Sequence, residues 1–250
     1  MIRTGLIGYP VQHSYSPKLF EEFFQREGIQ NALYQVFPLK DLNKLRDLIT
    51  KYPDLIGLNV TIPHKTNVLS YLDEISEEAL AVQAVNTISI NKHKEKLYLK
   101  GFNTDISGFE HMLNKYLNKP PEGALVLGTG GASNAVTFVL KNHNIPFKII
   151  SRHRSKGNLT YDDISRDHIA HYPLIINCTP AGMHPRTKET PPFPFMLLNT
   201  ENTIFDLIYN PAETKLMQMA KIRGAMAYNG LTMLKNQGLA SWKIWKNNLI

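Results

Sequence analysis

The chain has 250 residues, of which 43% are hydrophobic and 20% are charged. This composition is typical of a folded globular protein with a buried core and excludes an intrinsically disordered one. Lysine and arginine outnumber the acidic residues by 28 to 21, so the net charge is +7. The excess favours an anionic partner, and a nucleic acid, a membrane surface and a phosphorylated cofactor all fit it.

The single cysteine, Cys178, excludes an internal disulfide framework and a metal site built from cysteines. Nine histidines are present without an H-E-x-x-H string, and His168 and His171 lack an obvious third ligand, so we expect no metal. The sequence has no signal-peptide pattern and no apolar run near the roughly 18 residues that a membrane span needs. We therefore expect a cytoplasmic protein that does not insert in a membrane.

The first hundred residues alternate short β-rich runs with amphipathic stretches of helical length, which is the pattern of an α/β protein. Ser16 is a candidate N-cap, Pro17 stands at the first predicted helical position, and Gly28 closes the predicted helix. A second helix is predicted over residues 40–51. The strand candidates are residues 4–7, 34–37, 57–61, 84–90 and 96–100.

The second part of the chain continues the alternation after Gly101. The apolar spacing predicts an amphipathic helix from Leu231 to Leu249, and a loop rich in proline and charge is predicted over residues 184–194. We therefore predict two lobes, with boundaries after residues 102 and 230. The remaining elements are a helix at 108–116 and strands at 124–127, 147–150, 174–177 and 203–207.

A glycine turn joins the strand that begins at residue 124 to the helix that follows it, with the string G-T-G-G-A-S from Gly128 to Ser133. Glycines permit a tight turn and let the backbone approach a pyrophosphate, whose charge the free N–H groups at the helix start can bind. About twenty residues later, NAD-binding folds carry an acidic residue for the ribose 2′-hydroxyl. This chain instead has S-R-H-R-S-K from Ser151 to Lys156.

Residues 123–161 hold five basic residues and no acidic one. A guanidinium can pair bidentately with the dianionic 2′-phosphate that distinguishes NADP from NAD. The sequence therefore favours NADP(H) as the cofactor.

Four polar strings lie at the ends of predicted strands in the first lobe, at residues 13–17, 59–65, 84–87 and 101–105. Each string alone suits ordinary turn or cap chemistry, because Asn, Ser, Thr and Asp favour such positions. Together they bring hydroxyl, amide, ammonium and carboxylate groups to successive strand ends. This combination favours a pocket for a polyol.

With these strings the sequence resembles the shikimate dehydrogenase family. The family strings H-S-x-S-P, N-V-T-x-P-x-K, A-x-N-T, G-x-N-T-D and G-x-G-G-A-S occur here in the family's order and approximate spacing. Three later strings also match, starting at Asn177, Asp206 and Asn229, and Gln237 with the following glycine completes a resemblance that covers nearly the whole chain. One departure is the S-R-H-R-S-K string, where the family often has N-R-T-x-x-[RK]. This leaves open the role of Arg154.

The resemblance implies an α/β protein in which residues 1–102, completed by the C-terminal helix 231–250, form a substrate-binding lobe. Residues 103–230 would form a Rossmann-type, NADP-binding lobe with a parallel sheet. The implied activity is the reversible, NADPH-dependent reduction of 3-dehydroshikimate to shikimate in aromatic amino acid (chorismate) biosynthesis. The implied partners are therefore small molecules, without nucleic acid or membrane, and the chain would act as a monomer or a homodimer.

The resemblance also implies roles for individual residues. The substrate carboxylate would be bound by Ser14 and Ser16 with Tyr209 nearby, the ring hydroxyls by Thr61, Asn86, Asp105 and Gln237, and the pocket would be shaped by Asn59. The pyrophosphate would be held by Gly128, Gly130, Gly131 and Ala132, and the 2′-phosphate side by Ser151, Arg152, Arg154 and Lys156. The nicotinamide side would be lined by Thr179, Met183, Leu207 and Gly230.

Lys65 and Asp105 are the candidate catalytic residues. Hydride addition to a ketone leaves negative charge on its oxygen, which must be stabilised and then protonated. The ammonium group of Lys65 supplies a positive charge and a proton, and Asp105 could pair with it and orient it. The residues leave open which of the two groups transfers the proton.

Two other functions are compatible with parts of this pattern. A quinate or dual quinate/shikimate dehydrogenase shares these motifs, although no acidic residue follows the second cofactor strand to suggest NAD-linked quinate oxidation. A more remote alternative is a non-catalytic NADP-binding sensor or a nucleic-acid-binding protein. The presence of both Lys65 and Asp105 argues against a sensor, and no stripe of basic and aromatic residues suggests nucleic-acid binding.

Overall fold

The computed structural model describes residues 1–93 and 96–247. The chain divides into two units, one formed by Met1–Ser107 with the segment that begins at Lys235, the other by Gly108–Leu234. Both boundaries lie a few residues later than the predicted 102 and 230, and both fall inside helices. Leu249 and the rest of the predicted helix end lie outside the described residues.

The first unit is built on a six-stranded mixed sheet with the order β2-β1-β3-β5-β6-β4. Strands β2, β1 and β3 are parallel to one another, whereas β5 pairs antiparallel with both β3 and β6. The elements are β1 (Ile2–Gly8), α1 (Ser16–Arg26), β2 (Ala32–Pro38), α2 (Leu45–Lys51), β3 (Leu55–Val60), β4 (Glu74–Ile75), α3 (Glu77–Val82), β5 (Thr87–His93) and β6 (Lys96–Phe102).

One apolar core lies between this sheet and its helices, with Ile7, Leu45, Leu58 and Leu99 fully buried in it. Helix α1 buries Leu19, Phe20, Phe23 and Phe24 along one face. Burial of these apolar side chains is the main contribution of the sheet and of α1 to the stability of the unit, at roughly 25 cal/mol per Å² of apolar surface.

Several sequence predictions for this unit need correction. Ser16 is not an N-cap, because Tyr15 occupies that position and Ser16 is the first helical residue; the Ser16 amide donates to Ser14 Oγ at 3.2 Å. Gly28 does end α1, with a φ of 65° that favours glycine. The predicted helix 40–51 is a 3₁₀ turn, Leu42–Lys44, followed by α2. The segment 84–86 precedes β5 and is not part of it.

The second unit is a fully parallel five-stranded sheet with the order β11-β10-β9-β7-β8. Its first helix starts in the other unit and its last helix ends there. The elements are α4 (Asp105–Tyr116), β7 (Ala124–Leu127), α5 (Gly131–Asn142), β8 (Phe147–Ile150), α6 (Arg166–His171), β9 (Leu174–Asn177), β10 (Thr203–Asp206), α7 (Lys215–Ile222), β11 (Met226–Asn229) and α8 (Leu231–Lys246). Strands β7, β8 and β9 match their predicted ranges, and β11 was not predicted.

Helix α8 packs in the first unit through an aromatic cluster. Trp245 is fully buried and donates from its indole N–H to the Ile88 carbonyl at 2.9 Å. The Trp245 ring lies so close to Gly57 that no larger residue would fit at that position. The ring of Phe20 lies 5.7 Å from the Trp245 ring, measured between centroids. The C-terminal helix is therefore an integral part of the first unit. No described helix combines the length and apolar character of a membrane span.

Candidate active site

A polar cluster in the first unit is centred on a lysine and an aspartate. Lys65 Nζ donates to Asp105 Oδ2 at 2.5 Å, and Asn86 Nδ2 donates to Asp105 Oδ1 at 2.8 Å. The side chains of Lys65 and Asp105 are 18% and 7% exposed. Both carboxylate oxygens thus receive a donor, while Lys65 is still reachable from solvent.

The fold places both partners by local means. Asp105 is the first residue of α4, where the positive end of the helix dipole stabilises a carboxylate. Lys65 follows β3, and its carbonyl accepts a hydrogen bond from the Val85 amide at 2.7 Å. The preceding His64 is buried and its Nε2 lies 2.6 Å from the Leu39 carbonyl, which fixes the start of this segment.

Helix α8 contributes Gln237 to the same cluster. Gln237 Oε1 lies 3.4 Å from Asn86 Nδ2 and 3.4 Å from Thr104 Oγ1. Because the side-chain oxygen of Gln237 accepts hydrogen bonds within the cluster, the side-chain NH₂ group is the part of Gln237 that can donate to a ligand. One helical turn later, Ser241 is fully buried and donates to the Gln237 carbonyl at 2.9 Å.

Ser241 is a residue that the sequence did not single out. Its hydroxyl accepts from Asn59 Nδ2 at 2.8 Å and lies 2.8 Å from Thr87 Oγ1. Asn59 also accepts from the Tyr34 hydroxyl at 2.8 Å, so its side chain is occupied by the protein itself. Asn59 thus belongs to the hydrogen-bonded framework behind the cluster.

The other predicted substrate residues lie in two places. Ser14 and Ser16 are adjacent at the start of α1, joined through the Ser14 hydroxyl, and Thr61 directly follows β3. Tyr209 lies in the second unit, in the segment after β10. The structure therefore brings together Lys65, Asp105, Asn86 and Gln237 by direct hydrogen bonds.

The glycine turn follows β7 in the second unit. Gly128 has a φ of 107°, a conformation that favours glycine. Among the described residues nothing lies within 4 Å of where a side chain would start at Gly130, and no side chain caps α5, which begins at Gly131. The start of α5 thus presents uncapped backbone N–H groups next to open space, which suits a pyrophosphate.

The basic segment, residues 151–156, directly follows β8, the strand that neighbours β7 in the sheet. Ser151 is buried, while Arg152 and Lys156 are exposed. Arg154 donates to Asp163 Oδ1 at 2.6 Å, and hydrogen bonds from Thr160 and Arg154 hold the pKa of Asp163 below its usual value. Arg154 is therefore engaged in closing this loop, which distinguishes it from its two basic neighbours.

The remaining predicted cofactor residues follow the other strands of the parallel sheet. Thr179 comes after β9, Leu207 after β10 and Gly230 after β11, and Met183 is exposed on the loop that follows β9. A side chain at Gly230 would collide with the Leu207 carbonyl, so this position requires glycine. Because all five strands are parallel, these residues and the glycine turn lie at the same carboxyl edge.

Asp206, the last residue of β10, was not predicted as functional although it opens a family string. It is fully buried and accepts from Thr214 Oγ1 at 2.5 Å and Asn177 Nδ2 at 3.0 Å. Burial raises the pKa of Asp206 to about 6, against the opposing effect of these hydrogen bonds.

A parallel sheet with a glycine turn and a basic loop at its carboxyl edge defines an α/β protein of the dinucleotide-binding type. The other unit adds a polar cluster around a lysine–aspartate pair. Comparison with known proteins gives the family. The family model described as the shikimate dehydrogenase substrate binding domain matches residues 6–88.

Two relatives named shikimate dehydrogenase (NADP(+)) match almost the whole chain. The one from Methanococcus maripaludis strain C7 is 38% identical and that from Methanosphaera stadtmanae 36%, covering 96% and 97% of this chain and 90% of each relative. The crystal structure of shikimate 5-dehydrogenase from Thermus thermophilus in complex with NADP(H) and shikimate superposes with a TM-score of 0.84, at 30% identity over 99% of this chain and 94% of that one. This chain belongs to the shikimate dehydrogenase family.

Proposed function

We propose that this chain is an NADP-dependent oxidoreductase that interconverts 3-dehydroshikimate and shikimate. The observation that carries the proposal is the Lys65–Asp105–Asn86–Gln237 cluster in a chain of this family. A ketone reductase needs a proton donor and several groups that recognise hydroxyls, and the cluster offers both. A cytoplasmic location, and a monomeric or homodimeric state, stay predictions from the sequence.

The second unit is suited to bind NADP(H). Gly128, Gly130, Gly131 and Ala132 would receive the pyrophosphate at the uncapped start of α5. Ser151, Arg152 and Lys156 would face the 2′-phosphate, with Arg154 holding the loop through Asp163. Thr179, Met183, Leu207 and Gly230 would line the nicotinamide side of the same sheet edge. When bound, the cofactor supplies the hydride.

The lysine–aspartate pair would supply the proton that the ketone oxygen takes up during reduction. As a ketone is reduced, negative charge develops on its oxygen, and the Lys65 ammonium stabilises that charge and donates a proton to it. Asp105 holds one N–H of this ammonium at 2.5 Å, so the other two point away from the pair. Because both Asp105 oxygens already accept hydrogen bonds, we assign the proton transfer to Lys65 and the orientation of Lys65 to Asp105.

The polar groups around the pair are matched to a hydroxylated acid. Thr61, Asn86, Asp105 and Gln237 would contact the ring hydroxyls, and Ser14 and Ser16 the carboxylate, whereas the role of Tyr209 stays a prediction from the sequence. Asn59 would act indirectly, since its amide holds Ser241 and the Asn86 carbonyl. An uncharged or singly hydroxylated ring would leave several of these groups without partners, which costs binding energy.

The test is the oxidation of shikimate by the purified protein, followed by the absorbance of the reduced nicotinamide. Shikimate and quinate are offered in parallel with NADP⁺ and with NAD⁺. We expect turnover with shikimate and NADP⁺ to exceed every other pair. Equal or faster oxidation of quinate would make the chain a quinate or dual dehydrogenase, and no turnover with either would contradict the proposal.

Two variants tie the activity to the pair. Lys65→Ala should lower kcat about 10²- to 10⁴-fold, the usual contribution of a general acid, while NADP⁺ binding persists. Asp105→Asn keeps the shape of the side chain but removes its charge, and should also lower kcat. Lys44→Ala, which removes an exposed lysine of the same unit, is the matched control and should keep wild-type turnover.

A further inference from the structure

The carboxylate of Asp206 joins the two loops that leave the middle of the parallel sheet. Its Oδ1 accepts from Asn177 Nδ2 at 3.0 Å and from the Ile208 amide at 3.2 Å, and its Oδ2 accepts from the Thr214 hydroxyl at 2.5 Å. Asn177 ends β9, whereas Ile208 and Thr214 belong to the segment between β10 and α7. One buried side chain thus fixes both segments at the carboxyl edge.

The hydrogen bonds of this group extend further into each loop. Asn177 Oδ1 accepts from the amide and the hydroxyl of Thr179 at 3.0 and 2.7 Å, which shapes the turn after β9. Thr214 Oγ1 in turn accepts from the Met217 amide at 3.3 Å and caps α7. The loop after β9 and the loop after β10 are therefore held by one continuous network that Asp206 links.

Burying a carboxylate of this kind makes the free energy of folding less favourable. Its three partners are neutral donors, and desolvation of the charge outweighs them, which raises the pKa of the group. A well-packed apolar residue is often no less stabilising than a buried charge. Stability alone therefore does not explain why an aspartate occupies this position. Residues that reduce the stability of the fold are typical of functional sites.

The strand order indicates what the two loops face. In open α/β sheets a dinucleotide lies across the carboxyl edge where the strand order reverses, here between β7 and β9. Its pyrophosphate meets the glycine turn after β7, and its adenosine ribose meets the end of β8. The other half of the dinucleotide consequently lies over the ends of β9 and β10, where Asp206 sits.

We propose that Asp206 is a positioning residue for the nicotinamide half of the cofactor, acting through the loops that begin at Asn177 and Leu207. The proposal rests on the proposed function, because it assumes that the second unit binds NADP(H). Asp206 is fully buried, so it acts without touching the cofactor. It sets the two loops at the distance from the glycine turn that the nicotinamide half requires.

The test compares a whole and a truncated cofactor. The Kd of NADP⁺ and of adenosine 2′,5′-bisphosphate, which lacks the nicotinamide half, is measured by calorimetry on the full-length protein. Asp206→Ala should raise the Kd of NADP⁺ about ten-fold, the equivalent of one lost charge-assisted hydrogen bond, and leave that of the bisphosphate unchanged. Asp206→Asn keeps an oxygen for Asn177 and Ile208, so it should restore most of the NADP⁺ affinity.

The same variants separate this role from a general structural one. Thr203→Val removes a buried hydroxyl at the opposite end of β10 and is the matched control, expected to bind both ligands as wild type does. If Asp206→Ala weakens both ligands equally, or neither, the positioning role is wrong. Should the alanine variant not fold, Asp206→Asn decides: its smaller loss of affinity should fall on NADP⁺ alone, and an equal loss for both ligands, or no loss for either, overturns the proposal. Shikimate oxidation by the wild type separately tests the proposed function.

Discussion

Asp105 and Asp206 are both buried aspartates, but their surroundings handle the charge in different ways. Asp105 has an ammonium group 2.5 Å away and lies at a helix start. Asp206 receives only neutral donors, and burial raises its pKa from 3.8 to about 6. Removing the charge of Asp105 is therefore expected to lower turnover, whereas removing the charge of Asp206 is expected to raise the stability of the fold.

This cost predicts a pH dependence of stability. The folded-state pKa of Asp206 is above the unfolded value, so between about pH 4 and pH 6 the folded protein binds more protons than the unfolded chain. The contribution of Asp206 to stability is therefore present at low pH and is lost as the pH rises through about 6. A shift of two pKa units corresponds to about 3 kcal/mol. Relative to wild type, Asp206→Asn should gain up to about that much between pH 4 and pH 7.

The measurement is denaturant unfolding of both proteins at several pH values, followed by circular dichroism. Tryptophan fluorescence would miss the transition of the relevant unit, because Trp242 and Trp245 both lie in the other one. Asp167→Asn changes an exposed aspartate of the same unit and should track wild type. Parallel curves for wild type and Asp206→Asn would show that burial of this charge has no net cost.

At the scale of the elements, helix α8 links the C-terminus of the chain to the active-site cluster. Its Ser241 hydroxyl meets Asn59, Thr87 and Thr104, and holds the Gln237 carbonyl one turn earlier. That carbonyl is the main-chain one, but Thr104 Oγ1 lies 3.1 Å from Ser241 Oγ and 3.4 Å from Gln237 Oε1, so Ser241 also supports the Gln237 side chain through Thr104.

Ser241→Ala is expected to weaken substrate binding more than turnover. It removes one hydrogen-bond contact each from Asn59 Nδ2, Thr87 Oγ1 and Thr104 Oγ1, which keep other partners, so the free energy of unfolding should fall by about 0.5 to 1.5 kcal/mol. With Gln237 less firmly held, KM for shikimate should rise several-fold while the Kd of NADP⁺ stays at the wild-type value. Ser70→Ala, an exposed change in the same unit, is the control. A shift in NADP⁺ affinity of the same size would instead indicate general loss of structure.

Local chemistry explains which elements and site residues could be predicted from the sequence. Strands β7, β8 and β9 are short, mostly apolar runs bounded by turn residues, and the glycine turn is a local string, so both are visible in the sequence. The two-residue β4 and the six-residue α3 were missed because each is too short to show a periodic apolar pattern. Ser16 was misplaced because the helix starts one residue earlier than predicted, with Tyr15 at the N-cap and the Ser14 hydroxyl accepting from the Ser16 amide.

The roles of Ser241 and Asp206 depend instead on contacts that local patterns do not encode. Ser241 meets Asn59 across 182 positions of the chain, and Asp206 meets Asn177 across 29. The sequence could place the glycine turn, Lys65 and Asp105, but not Ser241 behind the polar cluster or Asp206 between the loops after β9 and β10.

For the whole molecule, the net charge of +7 is unevenly distributed. Five basic residues and no acidic one lie in 123–161, and three lysines without an acid lie in 231–250, so the rest of the chain has one more acidic than basic residue. Arg154 is already neutralised by Asp163, which reduces the charge available near β8. Arg152 and Lys156 remain as the exposed cations of that loop.

The position of a charge, and not the total, should therefore decide cofactor preference. Arg152→Ala and Lys243→Ala each lower the net charge by one, but Lys243 is exposed on α8 in the first unit. Arg152→Ala should lower kcat/KM with NADPH about 10- to 100-fold, as expected for lost charge-assisted bonds to a phosphate, and leave that with NADH unchanged. Lys243→Ala should alter neither. The salt dependence of NADP⁺ binding should weaken only in the Arg152 variant, because screening acts on the pair that is lost. A similar loss in both variants would mean that the overall field of the protein, and not the loop after β8, attracts the cofactor.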